Sequence, residues 1–326
     1  MRQAAIYEKG GIGESVTAHN FRAGFGKMGK KTMLACGAHR AGSAQLVHGG
    51  PERKTVLNAL RGEGEKRELF VDREIAFLEN IVKVHSKVKN VHVSLGKLYP
   101  ITVINDGYFY VFDISEIAHK YEFKRKVKTS IVVSGEILTA FILDFYDMKP
   151  SVVITKNMIE NPGNDILVLH EFVHCFQLES GAIEIRNGLS IQMREMAKSN
   201  YSWEINFPFP YSNSYFINKT VELAGDFANG NYENVEVYRN CMRAYLHKAE
   251  YEYMIWQQWK EGFSRHVENL IRKELGLRLN GNILIQPFSR VHFYEIGNKY
   301  IEMLIKKEKG LDDNIVKLFH KMFICE

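Results

Sequence analysis

The run Leu167-Val168-Leu169-His170-Glu171-Phe172-Val173-His174-Cys175-Phe176-Gln177 constrains this chain more than any other stretch. Ile166, Leu167, Val168, Leu169, Phe172, Val173 and Phe176 are apolar almost all round a helix, the pattern of a buried segment rather than a solvated one. His170, His174 and Gln177 make a polar stripe along it. Residues four apart share a helix face, so two imidazoles spaced as His170 and His174 can close on one ion. Glu171, beside the first, is then set to act as general base on the attacking water. This is the H-E-x-x-H pattern of a zinc hydrolase, with Zn2+ as the expected cofactor. The competing reading makes the stripe the water-facing side of an ordinary helix, carrying histidines without a metal.

The length of 326 residues and the 45% hydrophobic content allow one large domain or two smaller ones with a proper core. No run of about 18 apolar residues would cross a bilayer, and Met1 to Glu8 lacks the apolar stretch of a signal peptide. The sequence therefore reads as cytoplasmic, with no membrane partner. Cys36, Cys175, Cys241 and Cys325 are scattered without a C-x-x-C pair, so free thiols are expected. Cys175 points about 100° round the helix from His174, which favours packing over ligation. The net charge of +5 is concentrated early: residues 1–70 hold twelve Lys/Arg against six Asp/Glu. No interleaved aromatic platform or groove-binding motif accompanies that excess, so no nucleic-acid partner is expected.

Composition breaks near Phe70. Before it the chain is rich in Gly and small residues, and after it in Tyr, Phe, Ile and Lys. The expected division is residues 1–70 and 71–326. The opening reads as a strand at Gln3–Tyr7, a Gly-rich turn from Lys9 to Ser15, a helix to about Gly29 and a strand at Lys31–Cys36, a β-α-β start of the phosphate-binding kind.

Met1 to Ser15, followed by Met28-Gly29-Lys30-Lys31 and more weakly by Val56 to Arg61, resembles the N-terminus of the nitrogenase iron protein family. The resemblance implies nucleotide binding through Lys9, Gly10, Gly11, Gly13 and Ser15. It departs from the family where the phosphate-reaching lysine is replaced by Glu14, a carboxylate that repels phosphate, and where the switch aspartate is replaced by Ala38. Nothing corresponds to the family's cluster cysteines. The segment reads as a degenerate, inactive remnant, and one β-α-β unit buries too little surface to stand alone.

Beyond it, Asp72 can cap a helix to about Lys87, with Ile75, Leu78, Ile81, Val82 and His85 at helical spacing. Strand patterns follow at Asn90–Leu95, Ile101–Ile104, Tyr108–Phe112, Ser130–Val133 and Ser151–Ile154, while Glu136–Asp144 can be helical. Asn164 or Asp165 can cap the motif helix. The fold class expected is α+β: a small mixed sheet, the motif helix and a mainly helical C-terminal half.

That order resembles the gluzincin type of zinc metallopeptidase, a zincin in which a glutamate on a later helix is the third ligand. Two glutamates compete for that role. Glu261, in Trp259-Lys260-Glu261-Gly262-Phe263-Ser264-Arg265-His266, is similar to the E-G-x-A-x-Y stretch of such families, and Gly262 would let its helix approach the motif helix. Glu222, four residues before Asp226, is the alternative. The resemblance also implies a late Tyr or His as oxyanion donor, here Tyr294 with His292 as substitute. The loop from Asn206 to Phe216 either lines a substrate cleft or packs as an ordinary aromatic loop.

Three functions follow. The first is a zinc peptidase acting on a peptide or protein substrate, with His170, His174 and Glu261 holding the metal and Glu171 as base. The second is an ATP-binding or electron-transfer accessory of the nitrogenase iron protein kind. The third is a noncatalytic protein of zincin fold. Nothing in the sequence fixes an oligomeric state.

Overall fold

Residues 64–129, 136–160, 163–281 and 286–323 are described by a computed structural model. The nucleotide-loop residues Lys9, Gly10, Gly11, Gly13 and Ser15, and the strand expected at Ser130–Val133, lie outside them.

The chain divides into two units. The first contains α1 (Gly64–Val88) and Lys97–Phe172; the second contains Asn90–Gly96 and Val173 onward. Among the described residues of the first unit, five strands form one mixed sheet: β1 (Ile101–Asn105), β2 (Tyr108–Ile114), β3 (Tyr121–Lys128), β4 (Leu138–Leu143) and β5 (Lys149–Thr155), in the order β3-β2-β1-β5-β4. β1 and β5 run parallel, with Ile101 opposite Val152, and the other neighbours are antiparallel. Ile104, Phe109, Val111, Ile137, Phe141, Leu143, Tyr146 and Val153 form the apolar core of this unit. β5 leads through α2 (Lys156–Glu160) to α3 (Asn164–Glu179), the motif helix.

Several expectations need correction. Asp72 lies inside α1, which spans Gly64–Val88, rather than at its cap. The helix's buried stripe is Glu74, Leu78, Ile81, His85 and Val88. Glu136–Asp144 contains β4, not a helix: an apolar run buried on both faces shows no alternation, and such a run is ambiguous between the two structures. Asn90–Leu95 forms only a 3-10 turn at Val93–Leu95, because His92 Nδ1 accepts from the Ser94 N–H at 3.1 Å and bonds the Ser94 hydroxyl at 2.8 Å. β3, rich in Lys and Arg, escaped notice because an edge strand needs little apolar signal.

The second unit is helical: α4 (Ala182–Gly188), α5 (Ser190–Ala197), α6 (Trp203–Asn206), α7 (Ser214–Ala228), α8 (Asn234–Tyr245), α9 (Lys248–Glu274), α10 (Val291–Lys307) and α11 (Ile315–Phe323). α9 is buried along nearly its whole length. It crosses α10 at Gly262 and Gly297: a Cβ on Gly262 would stand 2.7 Å from the Gly297 Cα, and one on Gly297 would stand 1.9 Å from the Gln258 carbonyl oxygen. Gly262 thus permits close approach to α10, whereas the sequence had suggested approach to the motif helix. The loop from Asn206 to Phe216 packs inward. Phe209 meets Phe216, Tyr253 and Phe293 at ring distances of 5.1, 5.9 and 5.0 Å.

Candidate metal centre

α3 is one unbroken helix through Phe172 and Val173, where the two units join in sequence, so helix geometry alone sets His170 one turn from His174. Its polar stripe does not face water: His170 is 7% exposed, Glu171 and His174 2%, and Gln177 1%. Ile166, Val168, Leu169, Phe172, Val173 and Cys175 are buried with them. Asp165 accepts from the Ile166 N–H at 3.0 Å in the first turn.

His170, His174 and Glu261 each offer one ligand atom, and these atoms lie within 4.8 Å of one another. The other candidate, Glu222, is exposed and paired to Lys219 at 2.6 Å, away from any such group. His174 Nε2 stands 3.4 Å from Glu261 Oε2. Two ligands each about 2.0–2.1 Å from a tetrahedral ion stand about 3.3–3.4 Å apart, so this pair fits the spacing zinc requires. Two imidazoles and one carboxylate are also a donor set that suits it.

The remaining atoms orient these ligands. His174 Nδ1 donates to Gln177 Oε1 at 2.8 Å, leaving the Nε2 lone pair for a metal. The Gln177 amide nitrogen donates to the Lys260 carbonyl at 3.1 Å, which fixes the amide's orientation. Ser264 Oγ lies 3.2 Å from the same Nδ1, one turn beyond Glu261 on α9. Behind Glu261, Lys260 Nζ is 3.9 Å from Oε1 and donates to Glu204 Oε2 at 2.7 Å. Trp256 Nε1 reaches the same oxygen at 3.0 Å, and Arg186 bonds Glu204 Oε1 at 3.1 Å. Burial raises the Glu204 carboxyl, but Lys260 and Arg186 outweigh it and hold the group below its usual range. Burial lowers the Arg186 guanidinium.

Tyr294 is buried on α10, close enough to help raise the Tyr211 phenol, whose shift comes first from burial and then from Tyr253. His292 Nδ1 accepts from the Ser289 N–H at 2.9 Å, and its ring packs on Phe288. Sequence reasoning grouped Gln177 with the histidines but missed its bond to α9, and it missed Lys260 and Glu204. Gln177 was legible at i+3 from His174; Glu204, far off in sequence, gave no signal.

A family described as 4Fe-4S iron sulfur cluster binding proteins, NifH/frxC family, has a model that matches residues 2–85. The match covers the segment that resembles the nitrogenase iron protein and extends into α1. It stops well before the motif helix. No solved structure matches the chain. The matched segment does not fit an iron-sulfur cluster: it contains one cysteine, Cys36, where such clusters are held by four thiolates. Cys175 is fully buried in α3, and no described cysteine belongs to a metal-ligand group. Among the described residues no helix is long and apolar enough to cross a membrane.

Proposed function

We propose that the chain is a zinc-dependent peptidase of zincin-like fold. The observation that carries this reading is the His170, His174, Glu261 group, with His174 Nε2 and Glu261 Oε2 at ligand spacing. Zinc in an open three-ligand site lowers the pKa of water towards neutrality and polarises a carbonyl. Glu171, next to His170 and 2% exposed, takes the proton of the attacking water and passes it to the leaving amine. Gln177 and Ser264 hold His174, and Lys260 backs Glu261. Tyr294 is the donor to the developing oxyanion in this reading, with His292 as its substitute. The test is zinc content and hydrolysis of a quenched-fluorescent peptide library. Glu171→Gln should keep about one zinc per chain and lose hydrolysis, while His170→Ala/His174→Ala should lose both. Unchanged hydrolysis in Glu171→Gln sinks the assignment.

The match to residues 2–85 favours a second reading, an ATP-binding accessory of the NifH/frxC kind. Glu14 in place of the phosphate-reaching lysine weighs against it. Calorimetry of the full chain with MgATP decides: saturable binding supports it, and none removes it.

A further inference from the structure

Arg239 lies on α8 with 1% of its surface exposed. Nη1 donates to Gln258 Oε1 at 3.2 Å, and the guanidinium sits 4.4 Å from the Tyr300 ring centre. Nε and Nη2 have no hydrogen-bond partner among the described residues, and neither does Nε2 of Gln258, which is fully buried. The other two buried arginines also leave donors unmet, Nε and Nη2 of Arg186 and Nε of Arg265, but each has a carboxylate partner. Arg186 pairs with Glu204 at 3.1 Å, and Arg265 with Glu295 at 3.0 Å and Glu268 at 3.4 Å. Arg239 alone of the three has no carboxylate among the described residues.

A guanidinium stays charged at any working pH, so Arg239 cannot escape by neutralising as a buried lysine would. The contact with Tyr300 recovers only part of the hydration it loses. The unmet groups on Arg239 and Gln258 are all donors, so what completes them must accept hydrogen bonds and carry negative charge. Water would supply the first but not the second.

We propose that Arg239, Gln258 and Tyr300 form a binding site for a small monovalent anion, a halide or a formate-sized carboxylate, taken up as the second unit folds. The site is independent of the metal centre. The size limit follows from the burial of all three side chains, each at most 3% exposed.

Because the anion is buried on folding, equilibrium stability reports its binding. The probes are sodium chloride and sodium formate against sodium gluconate at matched ionic strength. The melting temperature of the full chain should rise with the logarithm of chloride or formate concentration, by a few degrees per tenfold above the dissociation constant, and stay flat in gluconate. Arg239→Met should abolish the dependence. Equal melting in all three salts, or the same rise in Arg239→Met, overturns the site. Should that variant not fold, crystals of the unaltered chain grown in bromide decide: an anomalous peak beside the guanidinium supports the proposal, and none overturns it.

Discussion

His174 and Gln177 are joined at 2.8 Å from Nδ1 to Oε1, and through the Gln177 amide nitrogen the pair is tied to the Lys260 carbonyl, one residue before Glu261. One side chain therefore fixes the tautomer of one proposed ligand and the position of the helix that carries another. Gln177→Leu keeps the volume but removes both bonds. Zinc affinity should fall about 10- to 100-fold, read by chelator competition, while Gln177→Glu, which still accepts from Nδ1, should recover part of it. An affinity unchanged in Gln177→Leu would show that packing alone orients His174.

Gly297 is a second point where geometry reaches the site from a distance. An alanine there improves local helix propensity by about 1 kcal/mol, yet its Cβ would stand 1.9 Å from the Gln258 carbonyl oxygen, so overpacking wins. Gly297→Ala should cost about 3 kcal/mol in urea unfolding. Since Glu261 adjoins Gly262 at the same crossing, zinc affinity should drop as well. A stability equal to the parent would mean that α9 and α10 can separate freely.

Glu252 holds the start of α5 from a distant helix. Its carboxylate accepts from the Ser190 hydroxyl at 2.8 Å and from the Ile191 N–H at 2.7 Å, and it is 3% exposed. It acts as a cap supplied by tertiary structure, in a position that Leu189, the residue at the N-cap, cannot fill. Glu252→Ala should lose about 2 kcal/mol, with faster amide exchange confined at first to α5. Uniform exchange across the second unit would instead point to a global packing defect.

What the sequence made legible follows the range of its signals. The motif helix was readable because its periodicity, its apolar flanks and the histidine spacing are all local to α3. Glu261 could be narrowed to one of two candidates because the glycine beside it is a local mark of close packing, although its partner is Gly297 on α10. The Glu204–Lys260 and Glu252–Ser190 contacts were invisible because each joins residues more than fifty apart through tertiary packing. β4 was misread because burial on both faces erases the alternation that separates strand from helix.

The last prediction concerns pH and rests on Glu295. Its carboxyl is 3% exposed; burial is the largest cause of a pKa raised to about 7, with Glu268 and Glu302 adding to it while Arg265 and Lys299 oppose. The 3.0 Å pair with Arg265 does not restore the usual value, because Arg265 is shared with Glu268 and the low-dielectric surroundings penalise the charged form. A carboxyl raised on folding binds more protons in the folded chain than in the unfolded one between about 4.5 and 7. Its contribution to stability is therefore complete below that window and lost as pH rises through it. Glu295→Gln, neutral throughout, should be more stable than the parent at pH 8, by an amount on the order of 3 kcal/mol, and nearly equal to it at pH 4.5. Urea midpoints for both chains from pH 4.5 to 8 test this. Parallel curves would mean that Glu295 ionises normally and that water reaches it in the folded protein.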